Sequence, residues 1–423
     1  MKRRPWPIGL AALLLAVLPL NARAGETMTE THQKSAVPGW QEFVDNLQSL
    51  PDRMLAKLPE EMRNDPRIRQ EIARIALESL TTSTLEAIGG DGDAPQFLPS
   101  IGQVLNVGQP NADTIYRSAR VTPGASYRLR GVAGSLNHSV IAQVVPAGSQ
   151  GAGSRSHLHL SDLALDPDGR FDVLVSSEKP EGYEGDWWQL APGATRLMLR
   201  MVSSDWADEE SPTISIERID QPVARPRPPA AQLEAKLRAL PQQIDFMALM
   251  FVDHVEKLRE KGVVNRLEPF NVGFGSLDGQ FYYEGAYDLA DDEALIVEST
   301  VPDVCQYRSL ILTNDLFETT DWVNNHSSLN GSQAAPDGDG KLRIVVSEKD
   351  PGVKNWLDTA GSPRGVIQGR WTGCDSQPIP EVRKVKLGDV AKSLPADTAM
   401  VTPEERQDII RERRRALLER PYW

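Results

Sequence analysis

Cysteine and histidine are scarce in this chain, with two and six copies among 423 residues, and that limits the thiol and metal chemistry open to it. Neither Cys305 nor Cys374 stands in a C-x-x-C, so redox catalysis is not indicated. There is no Gly-x-Ser-x-Gly, no Ser-x-x-Lys with its companions and no cysteine with a plausible His partner, which leaves serine and cysteine hydrolase chemistry without support. Nor does a Gly-x-Gly-x-x-Gly follow a strand, or a glycine-rich loop end in Gly-Lys-Ser or Gly-Lys-Thr, so nothing points to a nucleotide. Positive charge is the rarer sign, 46 Lys and Arg against 59 Asp and Glu for a net −13. That balance disfavours nucleic acid and anionic membrane, both of which need a positive patch.

Long apolar runs are also missing, and the one near the start, Ile8 to Leu20, is too short to span a bilayer. Lys2-Arg3-Arg4 precedes it and Ala22-Arg23-Ala24 follows, the pattern of a secretory signal peptide cut after Ala24. Losing its four positive charges takes the net charge from −13 to −17. We therefore expect an exported protein, periplasmic or extracellular, with no membrane span once the leader is gone; Arg3-Arg4 leaves twin-arginine export open beside the general route. Export favours a Cys305–Cys374 disulfide, which would close a loop of roughly 70 residues worth about 4 kcal/mol in the chain-entropy model.

After a polar tail, Trp40, Phe43, Val44, Leu47 and Leu50 recur at helical spacing. Asp65 can cap a second helix with Pro66 in its first turn and Ile68, Ile72, Ile75 and Leu80 as its stripe. Beyond Gln103 short alternating runs predict strands: Ile115 to Val121, Ser126 to Gly131, Ser139 to Val145, Phe171 to Ser176, Thr195 to Val202 and Thr213 to Ile216. Gln221 to Pro229 is a proline-rich linker. Helical periodicity returns as Leu233, Leu237 and Leu240 before Pro241, and as Ile244, Met247, Phe251, Val255 and Leu258 after it. Strands resume from Phe270 to about Val385, and Thr402-Pro403-Glu404-Glu405 opens a last helix with a capping box. On it Ile410 and Leu417 look like the docking side, and Arg406, Arg411, Arg413, Arg414 and Arg415 like a solvated face.

An internal repeat ties the two strand-rich regions together. Asp168-Gly169-Arg170, Val173 to Ser176, Glu178-Lys179-Pro180, Trp188, Gly193 and Arg196 are echoed by Asp339-Gly340-Lys341, Ile344 to Ser347, Glu348 to Pro351, Trp356, Gly361 and Arg364. Upstream, Tyr116 and Ala119 align with Tyr283 and Ala286. The expected segments are 1–24 leader, 25–37 tail, 38–102 helical, 103–220 first β repeat, 221–265 linker and connector helices, 266–390 second β repeat and 391–423 C-terminal helix.

Ser328-Leu329-Asn330, Gln333-Ala334, Asp350-Pro351-Gly352, Asn355 to Gly361 and Arg370-Trp371 resemble the signature of the bacterial domain of unknown function 1214 family. The N-terminal half is similar through Gly108-Gln109-Pro110-Asn111, Tyr116 and Tyr127 to Gly131, though an Asn-Pro-Asp-Asn-like run is replaced by Gln109 to Tyr116. The resemblance implies a jelly-roll-like β-sandwich and carries no activity. The expected fold is thus mainly β with accessory helices, as tandem duplicated jelly-roll-like sandwiches joined by a helical connector.

Candidate chemistry is sparse. His157 and His159, at i and i+2 of a strand, could meet a metal with His138 or Asp162, but Gly151, Gly153 and Ser154 beside them suggest a loop, and no metal is expected. Glu178, Glu181, Glu184 and Asp186 share one loop, and Glu348, Asp350 and Asp358 the equivalent one; a pair of carboxyls could cleave a glycosidic bond. Trp188 and Trp356, beside Asn355 and these acids, suit a sugar or another flat amphipathic ligand, or else anchor the repeat. The candidate ligand set is Trp188, Glu184, Asp186, Asp350, Asn355, Trp356, Asp358 and Arg370, with no catalytic residue singled out and no cofactor. Three functions remain open: a binding module for a small or carbohydrate-like ligand, in those loops or in the groove between repeats; a carboxylate-based hydrolase; and a structural protein built from the duplicated domain.

Overall fold

A computed structural model describes residues 35–136, 138–150, 157–271 and 279–421. The expected leader lies outside the described residues. Three helices come first, α1 (Trp40–Leu55), α2 (Glu60–Asn64) and α3 (Pro66–Gly89). The Asp65 carboxylate accepts from Arg67 N at 2.7 Å and caps α3, with Pro66 in the first turn, where a missing N–H costs nothing. Ile68, Ile72 and Ile75 bury their stripe against Leu50 and Met54 of α1 and against Leu240 and Ile244 of α4 (Ala230–Leu249). Helix α4 runs straight through Pro241, where the sequence predicts a break; the interruption falls later, before α5 (His254–Glu260). Proline removes one helical hydrogen bond, and burial of Leu240, Ile244 and Ala248 along one stripe holds the helix across it.

Two β units follow the same plan. The first comprises β1 (Leu98–Pro99), β2 (Thr114–Arg120), β3 (Tyr127–Val132), β4 (His138–Val144), β5 (His157–His159), β6 (Arg170–Ser176), β7 (Asp186–Gln189), β8 (Arg196–Val202) and β9 (Thr213–Arg218). The second comprises β10 (Glu268–Phe270), β11 (Gln280–Asp288), β12 (Glu293–Thr300), β13 (Cys305–Leu312), β14 (Ser328–Asn330), β15 (Lys341–Ser347), β16 (Trp356–Asp358), β17 (Arg364–Cys374) and β18 (Glu381–Lys386). The first forms sheets ordered β1-β2-β8-β4-β5 and β7-β6-β3-β9; the second forms β10-β11-β17-β13-β14 and β16-β15-β12-β18, the same order strand for strand. With four sheets and six α-helices among the described residues, the chain is mainly β.

Within each unit the two sheets bury one face each. Tyr127, Leu129, Val173 and Val175 of the four-stranded sheet meet Ile115, Ile141, Leu197 and Leu199 of the five-stranded one. In the second unit Leu295, Val297, Ile344 and Val346 meet Leu310, Leu312, Ile367 and Trp371. Pairing is antiparallel except at β6·β7 and β15·β16, which run parallel. The parallel pairs arise because the chain is carried back alongside the preceding strand, by residues 177–185 before β7, for example.

Cys305 and Cys374 are register partners on β13 and β17 and are bonded, with Cα atoms 3.9 Å apart. The run 221–229 is irregular and almost wholly exposed. No helix among the described residues is long and apolar enough to cross a membrane.

The last helix, α6 (Pro403–Glu419), has the predicted capping box, Thr402 Oγ1 accepting from Glu405 N while the Glu405 carboxylate accepts from Thr402 N. Leu417 docks as expected and Arg411, Arg414 and Arg415 are exposed, but Arg406 and Arg413 leave the solvated face expected for them. Arg406, Arg413 and Arg420 are buried at 2%, 8% and 7% exposure. Each finds partners that offset its desolvation: Arg406 lies over Trp356 at 5.1 Å and binds Asp350, Arg413 lies over Trp206 at 4.5 Å and donates to Ser328, and Arg420 donates to Asp113 O. Spaced by seven, they form one stripe that straddles both β units.

Candidate site: a buried polar layer between the two β units

Each five-stranded sheet has a second face, turned away from its own core, and the two such faces meet. On the second unit, cross-strand pairing sets Tyr307, Thr372 and Gln280 in one row, Ser309, Arg370 and Tyr282 in the next, and Ile311, Gln368 and Glu284 in a third. The facing sheet presents Thr114, Tyr116 and Ser118 of β2, His138 of β4 and Arg200 of β8. Contacts join them: Tyr307 Oη donates to Asp113 Oδ2 at 2.5 Å, Asn111 Nδ2 donates to Tyr307 Oη at 2.8 Å, and Gln306 Nε2 lies 3.4 Å from His138 Nδ1.

Asp113 is the hub. At 1% exposure, its carboxylate also accepts from Trp206 Nε1 at 2.8 Å and Asn330 Nδ2 at 2.9 Å. Burial pushes its pKa up, against the downward pull of these donors and Arg420. Tyr307 is held well above the ordinary tyrosine value by burial and by the Asp113 charge. The roles of Asn111 and Asp113 are not visible in the local sequence, because their partners come from the other unit, far along the chain.

Arg370 is 4% exposed, and its Nη2 donates to Gln368 Oε1 at 3.0 Å. Gln368 Nε2 donates to Glu284 Oε2 at 3.2 Å, and Glu284 Oε1 lies 2.8 Å from His254 Nε2, so a hydrogen-bonded chain runs from α5 into the layer. The guanidinium sits 5.2 Å from the Tyr282 ring centroid. Burial opposes its charge, but Tyr282, Tyr307, Tyr116 and Asp113 together hold its pKa above the ordinary arginine value. Arg370 Nε has no hydrogen-bond partner, and no carboxylate of the described residues lies within ion-pair distance of the guanidinium. Ser309 Oγ, next to it on β13, and His138 Nε2, on the facing sheet, are likewise buried without a partner.

Of the residues proposed from sequence, only Arg370 lies in this layer. Trp188 is 5% exposed in the first sandwich core. Trp356 is 4% exposed under the segment after β18, against Ile296, Val345, Val390 and Leu394, with Nε1 donating to Ser347 Oγ at 2.9 Å. Asn355 Nδ2 donates to Ala335 O and Arg343 O, and Asp350 pairs with Arg406. Asp358 accepts from Ala360 N, and burial raises its carboxyl to about 6. Glu184 is exposed, and Asp186 accepts from Ala164 N. No hydrogen bond or ion pair among the described residues joins the acids of one loop to those of the other.

Two equivalences read from sequence are off by one residue. Ser176 pairs with Gln189 and Ser347 with Asp358, so Trp356 corresponds to Trp187 and Leu357 to Trp188. Trp187 Nε1 donates to Ser176 Oγ, as Trp356 Nε1 does to Ser347 Oγ. Likewise Tyr283 faces the second core while Tyr116 faces the layer, and Ala119 faces the first core while Ala286 packs beneath α5. A one-residue slip moves a strand residue to the opposite face.

The histidines converge without forming a metal site. The ring centroids of His138 and His159 are 5.2 Å apart and those of His157 and His159 6.4 Å, but no group of three or more His, Cys, Asp or Glu among the described residues is placed to hold a metal ion. Burial, with His159 and Arg200 nearby, pushes the His138 pKa down to about 4.

Residues 137–205 match the model of the family described as a protein of unknown function, DUF1214. This chain resembles the DUF1214 family. The match spans β4 to β8 of the first unit, although the residues that suggest the resemblance in the sequence are denser in the second. The crystal structure of an uncharacterised protein from Burkholderia cenocepacia is similar at 27% identity and a TM-score of 0.75, over 83% of this chain and 98% of that one. A Vibrio parahaemolyticus protein aligns at 13% identity and a TM-score of 0.45, over 75% of this chain and 99% of that one. No curated protein matches.

Proposed function

We propose that the protein is an exported small-molecule-binding protein, built by tandem duplication of one sandwich, whose ligand lies in the polar layer between the two units. The observation that carries this reading is the set of buried polar atoms without partners, Arg370 Nε, Ser309 Oγ and His138 Nε2, on the two facing sheets. Buried polar groups are nearly always hydrogen-bonded, so several orphans in one layer mark a place where something other than protein completes the bonding. The shared strand order supports duplication, and a disulfide is compatible with export. The loops at Trp188 and Trp356 lose their rank as sites because their indoles pack inward. A hydrolase reading is weaker for the same reason: the loop acids stay apart, and the Asp113 carboxylate is already held by three donors.

The test is to denature protein purified from its export compartment and identify any released small molecule by mass spectrometry. In parallel, apo protein is screened by thermal shift against sugars, organic acids, amides and lipids. A stoichiometric released species, or a panel member that saturably raises the melting temperature, supports the reading. Failure of both arms refutes it.

A further inference from the structure

We propose that the ligand of this layer bears a carboxylate, and that Arg370 and Ser309 receive it. The inference rests on the binding reading above and names the ligand class. Arg370 and Ser309 are direct register partners on β17 and β13, so their side chains rise from the same face as nearest neighbours. Arg370 Nε and Ser309 Oγ both lack partners. A guanidinium out of water is normally paired with an anion, and here no carboxylate of the described residues takes that place.

The rest of the guanidinium is already directed. Gln368 accepts from Nη2 and is itself held by Glu284, which His254 holds in turn. That chain uses one side of the planar fork and leaves Nε. A carboxylate oxygen can accept a charge-assisted bond from Nε while its neighbour accepts from the Ser309 hydroxyl. Neutral sugar hydroxyls could take the same hydrogen bonds but would form no ion pair with the guanidinium. A phosphate dianion would overcompensate a single guanidinium that already feels Asp113. One negative charge on a planar two-oxygen group fits both demands.

The experiment uses the full chain and pairs of acids with their neutral isosteres: benzoate and benzamide, hexanoate and hexanamide, galacturonate and galactose, with inorganic phosphate as a separate arm. Affinities come from calorimetry and thermal shift, for wild type, Ser309→Ala and Arg370→Gln. The expected result is that at least one acid binds, that its neutral partner needs at least tenfold more ligand, that Ser309→Ala weakens the acid by roughly tenfold, and that Arg370→Gln abolishes it. If Arg370→Gln does not fold, Ser309→Ala decides, since its hydroxyl makes no hydrogen bond within the protein. Acids and neutral isosteres binding equally would overturn the inference, as would acid binding untouched by Ser309→Ala. Sugars, amides or phosphate binding in place of every acid would remove the carboxylate class and leave the binding reading standing. No binding and no retained molecule would remove both.

Discussion

Trp356→Ala tests whether the second-unit indole is a structural peg. The ring is 4% exposed among Ala294, Ile296, Val345, Val353, Val390 and Leu394, so truncation empties a large buried volume. Such changes cost about 3–5 kcal/mol. The Arg406 guanidinium over the ring adds about 0.5–2 kcal/mol when its aromatic face is lost. If the second unit melts cooperatively, at roughly 2–4 °C per kcal/mol for 150–250 residues, its transition should drop by at least about 7 °C. Circular dichroism melts and scanning calorimetry would read this. Trp187→Ala is the internal control: it makes the equivalent serine contact but is partly exposed, so it should lose less. A Trp356→Ala transition within about 2 °C of wild type, or a larger loss from Trp187→Ala, would refute the peg.

Breaking the Cys305–Cys374 bond by reduction, or by Cys305→Ser with Cys374→Ser, should destabilise the protein by about 4 kcal/mol in the chain-entropy model, seen as a lower denaturant midpoint; an unchanged midpoint would contradict this. Burial and the neighbouring Glu318 raise the Glu78 carboxyl to about 7, so the folded state holds this proton more tightly than the unfolded chain. Stability should therefore fall as pH rises from about 4.5 to 7, and Glu78→Gln should flatten that slope; a slope unchanged in the variant would count against the assignment. Asp113→Ala strands Tyr307, Trp206 and Asn330 together, and at about 1–3 kcal/mol for each orphaned donor should cost at least about 3 kcal/mol, read as a lower denaturant midpoint; an unchanged midpoint would contradict the hub.

Much of the architecture was legible because local rules decide it. The Asp65 cap, the Thr402 capping box and the alternating strand runs each depend on neighbours in sequence. Register was not legible. Adjacent tryptophans at 187 and 188 offer two alignments with Trp356, and only pairing with Ser176 chooses. The site was least legible of all, since Asn111 and Asp113 meet Tyr307 and Asn330 about 200 residues away. Arg406 and Arg413 resemble the exposed arginines around them, and nothing in the sequence near the helix announces Trp356 or Trp206 as their resting places. Arg370 was in the candidate set through the family resemblance, but its surroundings were not.

The linker over 221–229 is exposed, while the layer it connects is held together by hydrogen bonds of specific partners. Nothing in those bonds depends on both halves belonging to one molecule. If the first unit and α1–α3 of one copy dock on the second unit of another, Asp113 meets the same Tyr307, Asn330 and Arg420, and α4 meets the same helices. The exchanged pair would therefore keep the hydrogen bonds of the layer, and would differ in the path of the linker, in the contacts Gln221 and Arg225 make to Asp93 and Asp91, and in the entropy of association. Protein concentration during refolding would then weigh on the choice between the two arrangements.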